Sequence, residues 1–349
     1  MAKHDTIVIG ASAGGVQALT TLVKDLPANL PAAVFLVLHI RADSPSLLPA
    51  ILSRESRLPV EHAVDGQEIT QGRIYVALPD HHLLIERQRM RLVHGPKENL
   101  HRPSIDALFR SAARWAGPRT IGVILTGARD DGAAGMRAIK QRGGIAIVQD
   151  PHEAPFPSMP LSVLQSLKVD YTLPLREIAP LLDRLSRQPA EEEGRYPVPE
   201  NLEIETRIAQ QEMEADELIA SIDEIGKISK LTCPDCHGAL WEVNDEDMLR
   251  FRCHVGHAYS ADSLNDGQHQ MLETALWSAV RALEEQVILS RRIVETARRS
   301  NHTRAVRMFE RRAQEAEAHS TAIRQLLLRG EKGDIAEPPP EDRDEVGIS

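Results

Sequence analysis

Short apolar runs alternate with amphipathic segments through the first half of the chain, and the pattern changes character after residue 187. Ile7, Val8 and Ile9 are apolar at consecutive positions, as in a strand covered on both faces. The chain leaves that strand through Gly10, Ala11, Ser12, Ala13, Gly14 and Gly15. It then enters Val16, Ala18, Leu19, Leu22 and Val23, whose spacing predicts a helix. Similar runs recur as AAVFLVLHI at 32–40, GRIYVALP at 72–79, TIGVILTGA at 120–128 and GGIAIVQD at 143–150, with helical patterns at 104–115 and 131–141 between them. This alternation predicts an α/β fold with a doubly wound, mostly parallel, Rossmann-like sheet. In such sheets the reactive groups gather where strands end.

The second half reads differently. QPAEEEGRYPVPENLE at 188–203 is acidic and proline-containing, the pattern of a linker, and 188–230 is expected to be linker and helix. ALWEV at 239–243 and MLRFRC at 248–253 alternate like two strands of a hairpin, within a small module over 231–262. Over 263–330 the chain is helical. Val306, Phe309, Ala313, Ala316, Ser320, Ile323 and Leu327 form a heptad seam, and Leu272, Leu276, Ala279, Leu283 and Val287 supply the partner face. The simplest reading is an antiparallel helical hairpin, with Thr303 as N-cap of its second helix; a dimeric coiled coil is the alternative. Eight arginines between 291 and 312 fall mostly off the seam and are expected to be solvated. The acidic, proline-rich tail 331–349 is expected to be disordered. A flexible 188–203 segment would tether the second half to the domain at 1–187 without fusing the two.

The residues at the strand exits carry the candidate chemistry. The turn after Ile9 fits neither the G-x-G-x-x-G nor the G-x-x-x-x-G-K-[ST] phosphate loop. Gly10-Ala11-Ser12-Ala13-Gly14 does have the spacing of a nucleophile elbow, in which a serine stands above the sheet. The plain alternative is a structural turn in which Ser12 is merely small. His39 follows the second apolar run and Asp131 the run at 120–128. Serine, histidine and aspartate at three strand exits suit a triad, which geometry defines and chain order does not. Each also has an ordinary reading, as a capping histidine or an N-cap aspartate.

Bulk properties narrow the partners. A net charge of −10 argues against a large nucleic-acid surface. No run approaches the ~18 apolar residues of a membrane span, and the N-terminus has no signal-peptide pattern. All three cysteines fall between 233 and 253, which argues against a disulfide framework and for a reducing cytoplasm. Cys233 and Cys236 in CPDC, with Cys253 and a histidine in FRCHVGH, match tetrahedral zinc ligation in a ribbon-like hairpin. His257 is preferred to His254 as fourth ligand, because His254 is adjacent to Cys253. A metal-free hairpin with packed cysteines is the alternative.

Residues 7 to about 184 resemble the catalytic domain of the chemotaxis protein-glutamate methylesterases, the CheB family. VIGASAGGVQAL, VLHI, GRIYVALPDHHL, HRPSIDALFRSAA, GVILTGARDDGAAGM and VQDPHEAPFPSMP carry the resemblance, in family order. It implies a doubly wound α/β fold and a serine esterase with nucleophile Ser12, histidine His39 and aspartate Asp131. The reaction implied is hydrolysis of glutamyl methyl esters, and deamidation of some glutamines, on methylated chemoreceptor-like proteins; no cofactor is needed. A receptor methyltransferase or a separate response regulator would be a further partner. Ala13, Ala128 and His82 are oxyanion or pocket candidates, with Ser104 and Asp106 nearby in sequence. Gly127-Ala128-Arg129 departs from the family's Gly-Met-Gly, so Arg129 replaces a glycine that can require positive φ. The sequence begins at the catalytic strand, so the family's receiver domain is not expected. A weakly active scaffold that binds partners through the C-terminal module is the competing function.

Overall fold

The computed structural model describes residues 2–330 other than Ser44, Glu246 and Asp247. The expected tail at 331–349 lies outside the described residues. Among the described residues, nine strands and six α-helices lead up to residue 187. They are β1 (Thr6–Ala11), α1 (Gly15–Asp25), β2 (Ala33–Leu38), α2 (Leu48–Leu52), β3 (Val60–His62), β4 (Ile74–Val76), β5 (His82–Glu86) and β6 (Arg89–Val93). After these come α3 (Ile105–Ala116), β7 (Thr120–Ile124), α4 (Ala133–Gln141), β8 (Ile145–Gln149), α5 (Ser158–Ser166), β9 (Tyr171–Leu173) and α6 (Leu175–Ser186).

Seven of these strands form one sheet in the order β3-β4-β2-β1-β7-β8-β9, parallel at every pairing. Each face is covered by a separate apolar cluster. Ile7, Ile9, Leu36 and Val123 pack with α1 and α6 on one side, and Val8, Phe35, Val37 and Ile124 with α3 and α4 on the other. The unbroken apolar runs are thus strands buried on both faces. The winding reverses beside β1, so β2 and β7 flank it and their carboxyl ends open onto one crevice.

Three features escape the sequence pattern. β3 and β9 have only 3 residues each, too few for a period, and owe their extension to neighbours in the sheet. The β5–β6 hairpin turns through Arg87, at φ 53°, and Gln88, a loop without the Asn-Gly or Asp-Gly that marks a tight hairpin.

The chain divides into two compact units, residues 1–267 and 268 onward, so the break expected at 187/188 is displaced. Residues 200–225 fold as α7 (Glu200–Gln210) and α8 (Ala215–Ile225). Leu202 of α7 is buried in the same cluster as α3 and α4. A four-stranded sheet follows, of β10 (Gly226–Thr232), β11 (Ala239–Val243), β12 (Arg250–Cys253) and β13 (Ala258–Ser260), antiparallel throughout. β11 and β12 are the expected hairpin. Residues 201–267 are therefore fused to the sheet domain, where a flexible tether was expected. The acidic pattern misleads because the partners of those acids are distant in sequence. Arg114 of α3 donates to Glu203 at 2.6 Å, and Glu205 is buried against Arg250 and Arg252.

α9 (Ala261–Arg299) runs into the second unit, where it pairs with α10 (Thr303–Gly330). Ala313, Ala316 and Ser320 of the expected seam are buried, and Val306, Phe309, Ile323 and Leu327 are half-buried. On α9, Val287 is buried as expected, whereas Leu272 is 56% exposed and Val280 is buried in its place. Helix α10 starts at Thr303, with the Val306 amide donating to the His302 carbonyl, so the cap falls one residue before Thr303. All eight arginines of 291–312 are exposed. Among the described residues, no helix is long and apolar enough to cross a membrane.

Candidate active site and cysteine cluster

β1, β2 and β7 deliver Ser12, His39 and Asp131 to the crevice. The Ser12 amide donates to the Thr126 carbonyl at 3.1 Å and the His39 amide to the Ala11 carbonyl at 3.2 Å, which hold the three exits in register. Gly14, at φ 74°, makes the turn into α1. Gly127 is needed for close approach, since a Cβ there would lie 2.9 Å from Ser12 Cβ.

The Ser12 hydroxyl lies 3.2 Å from His39 Nδ1, and His39 Nε2 lies 2.8 Å from Asp131 Oδ2. With Asp131 ionised, Nε2–H donates to the carboxylate and Nδ1 is left to accept from the serine. This is the reverse of the ring orientation in the chymotrypsin-type triad, and the proton path is the same. Asp131 is 1% exposed, yet four donors besides His39 reach it. They are Asn99 Nδ2 at 2.9 Å, Ser104 Oγ at 2.9 Å, the Ile105 amide at 2.7 Å and the Asp106 amide at 3.2 Å. Burial pushes its carboxyl up, but the bond and charge of His39 and the Asn99 bond outweigh this and hold it well below the usual range. Asp106 is the counterpart. Burial and the Asp131 charge push it up to about 8, although the Gly132 and Gly135 amides donate to it. Of this neighbouring pair, Asp131 is held toward its charged form and Asp106 is pushed toward its neutral one.

His101 stacks on His39 with ring centroids 3.7 Å apart. Burial, then the charge of His39, holds it down at about 3, so it packs as a neutral ring. His82 does not join the group around Ser12. Its Nε2 donates to the Pro96 carbonyl at 2.9 Å and its Nδ1 accepts the Ser104 amide at 3.2 Å, which occupies both nitrogens. Ser104 caps α3 and Asp106 lies in its first turn, so both sequence candidates act on Asp131 from one helix start. Ala13 follows Ser12 at the approach to α1, and Ala128 follows Gly127. Asn99 and His101 were missed as site residues. His101 lies within a string that carries the family resemblance, whereas Asn99 has no local signal.

A family model described as CheB methylesterase matches residues 7–182, half of the chain. The chain belongs to the CheB methylesterase family. A Leptospira interrogans protein, provisionally named protein-glutamate methylesterase/protein-glutamine glutaminase, is 41% identical over 191 residues, which are 54% of this chain and 99% of that protein. Protein-glutamate methylesterase/protein-glutamine glutaminase 2 of Rhizobium johnstonii is 40% identical over 185 residues, 51% of this chain and 50% of its own. The crystal structure of the Thermotoga maritima CheB methylesterase catalytic domain superposes with a TM-score of 0.50 at 34% identity, covering 52% of this chain and 98% of that one.

Against the CheB pattern, Arg129 takes the left-handed conformation that the family's glycine would adopt freely, at φ 68°. An ion pair to Asp266, 3.0 Å away at the start of α9, anchors its side chain.

Beyond the family match, Cys233, Cys236, Cys253 and His257 come together with all four donor atoms within 4.8 Å of one another. Tetrahedral zinc with bonds of about 2.3 Å to sulfur and 2.0–2.1 Å to nitrogen implies donor separations of about 3.8 Å between sulfurs and about 3.6 Å from sulfur to nitrogen. Cys236 and Cys253 sulfurs are 3.6 Å apart, and His257 Nδ1 is 3.8 Å from Cys233 Sγ and 3.4 Å from Cys253 Sγ. These three separations match tetrahedral zinc, and the residue types are those of a Cys3His site. His254 is outside the cluster, its ring lying against Gly238 where any side chain would collide with it.

Proposed function

We propose that the chain is a protein-glutamate methylesterase acting on methylated chemoreceptor-like proteins, with Ser12 as nucleophile, His39 as general base and Asp131 as the group that orients and stabilises the imidazolium. The unbroken Ser12–His39–Asp131 hydrogen-bond chain carries this reading. Ser12 Oγ attacks the γ-carbonyl carbon while its proton passes to His39 Nδ1. Methanol leaves with that proton, and a glutamyl-Ser12 ester remains. Water, deprotonated by the same nitrogen, then attacks the ester and releases glutamate and Ser12. A glutamine side chain would follow the same path with ammonia leaving. The Ala13 and Ala128 amides are the proposed donors to the tetrahedral oxyanion. Exposed Val16 and Phe156 flank the Ser12 turn and offer apolar footing for a substrate helix.

Zinc held by Cys233, Cys236, Cys253 and His257 would be structural, closing a site with four protein ligands and no open position. Three free cysteines suit a reducing cytoplasm as the place of action. A receptor methyltransferase or a separate response regulator completes the proposed partners.

Methanol release from methylated receptor fragments, compared between the full chain and Ser12→Ala, tests the activity. The variant should lose at least about 10³-fold in turnover, and equal release from both proteins would refute the assignment. Metal analysis after purification without chelator should give one zinc per chain, and none in Cys253→Ser.

A further inference from the structure

Resting on the esterase reading, we infer that Asn99 is a positioning residue for Asp131 and that the Cys/His module through Ser260, with Ser263 at the start of α9, holds Asn99 in its working orientation. The side-chain amide of Asn99 is fully used. Its Nδ2 donates to Asp131 Oδ1 at 2.9 Å and to Asp106 Oδ2 at 2.8 Å. Its Oδ1 accepts the Ser260 amide at 2.9 Å and the Ser263 hydroxyl at 3.0 Å. The assignment of oxygen and nitrogen is unambiguous, because a backbone N–H can only donate and an ionised carboxylate can only accept. One rigid group thus joins the aspartate of the triad to the end of β13 and the first turn of α9.

The backbone supports the same link. Asn99 N–H donates to the Ala258 carbonyl at 2.8 Å, so the segment before α3 continues the edge of the β10–β13 sheet. Asn99 sits at φ 50°, a left-handed conformation that Asn tolerates better than most residues. Beside it Glu98 is buried between Arg110 of α3 and Arg252 of β12, and Glu205 of α7 holds Arg250 and Arg252. Moving the module would leave these charges unpaired, so Ser260 and Ser263 are held where Asn99 needs them. Among the described residues His39 is the ion-pair partner shown for Asp131, and the Asn99 donor is one of five that hold its carboxylate against the His39 ring. Residues 201–267 therefore belong to the catalytic machinery, although the family match ends at 182.

Asn99→Ala and Ser263→Ala, each made in the full chain, test this against wild type and Ser12→Ala. Asn99→Ala should lower kcat by about 10- to 100-fold with KM within about twofold, the scale seen when a group supporting a ligand or catalytic residue is removed. The acid limb of kcat/KM should move to higher pH, because a carboxylate with one donor fewer draws the imidazolium proton more strongly. Ser263→Ala should shift both quantities in the same direction by less, since the Ser260 amide still holds Asn99. A merely structural role would lower Tm and the folded fraction and leave the acid limb in place. If wild type is active and both variants keep its kcat and acid limb, the inference is overturned and the esterase reading survives; where Asn99→Ala does not fold, Ser263→Ala alone decides. If wild type turns over no faster than Ser12→Ala, the esterase reading falls and this inference with it.

Discussion

Glu205 and Glu317 both face arginines, in very different surroundings. Glu205 is 3% exposed and bonds Arg250 and Arg252 at 2.8 Å. Glu317 on α10 is 57% exposed and meets Arg291 of α9 at the same 2.8 Å, alongside the exposed pairs Arg298–Glu310 and Arg324–Glu284. Equal distances carry unequal consequences. An exposed pair trades hydration and side-chain freedom for a screened attraction and gains little. A buried pair has already lost its water, so either partner alone is a large liability. The α9–α10 hairpin is therefore held by its apolar seam, and its ion pairs are dispensable. The Cys/His module is fixed to the sheet domain by charges that cannot be separated at low cost. The difference also explains Arg250 and Glu205 titrating far outside their ordinary ranges. Burial works against both charges, and the opposite charge beside each more than restores them.

Removing Glu205 should give the largest effect on this contrast. Glu205→Ala leaves Arg250 with Asp245 and Arg252 with Glu98 as their remaining partners in a dry site and should cost about 3–5 kcal/mol in urea unfolding, with little dependence on salt. A loss below about 1 kcal/mol would mean that water reaches the site and that the contrast is false. A second buried carboxylate sharpens the point through pH. Asp106 is pushed up to about 8, above the ~3.9 of an unfolded Asp, so between those values the folded protein keeps a proton that the unfolded chain has lost. Its contribution to stability is full below pH ~4 and disappears as pH rises through about 8, at up to about 1.4 kcal/mol per pH unit. Asp106→Asn should flatten the fall in stability between pH 5 and 8, as read by urea midpoints; an unchanged slope would place the proton elsewhere. The smallest effect belongs to the surface. Glu317→Ala should change stability by less than about 1 kcal/mol, and that little should vanish in high salt.

Apolar runs at strand positions mark β1, β2, β4, β7 and β8, because strands covered on both faces must be apolar throughout. The heptad seam of α10 is legible for a related reason, since packing along a helix imposes a repeat on the sequence itself. Ser12, His39 and Asp131 were visible as polar residues at strand ends. Cys233, Cys236, Cys253 and His257 were visible as a cluster because all three cysteines of the chain and the nearby histidine fall within 25 positions. Asn99 was not. Its four hydrogen bonds run to Asp106, Asp131, Ser260 and Ser263, up to 164 positions away, and an asparagine before a helix looks the same whether or not it touches a triad. The acids of 200–205 were misread for the same reason.

What the sequence by itself determined is the set of local periods and short motifs: the parallel sheet, the helical hairpin, the candidate triad and the cysteine cluster. Each depends on residues a few positions apart, or on residue types whose chemistry has few other uses. Tertiary structure alone decided that residues 201–267 fuse to the sheet domain, that Leu272 leaves the seam for Val280, and that His82 is spent on backbone while Asn99 supports Asp131. The reason is electrostatic and geometric. The free energy of a buried charge or amide is set by what surrounds it, and those surroundings are assembled from distant segments that no local pattern records.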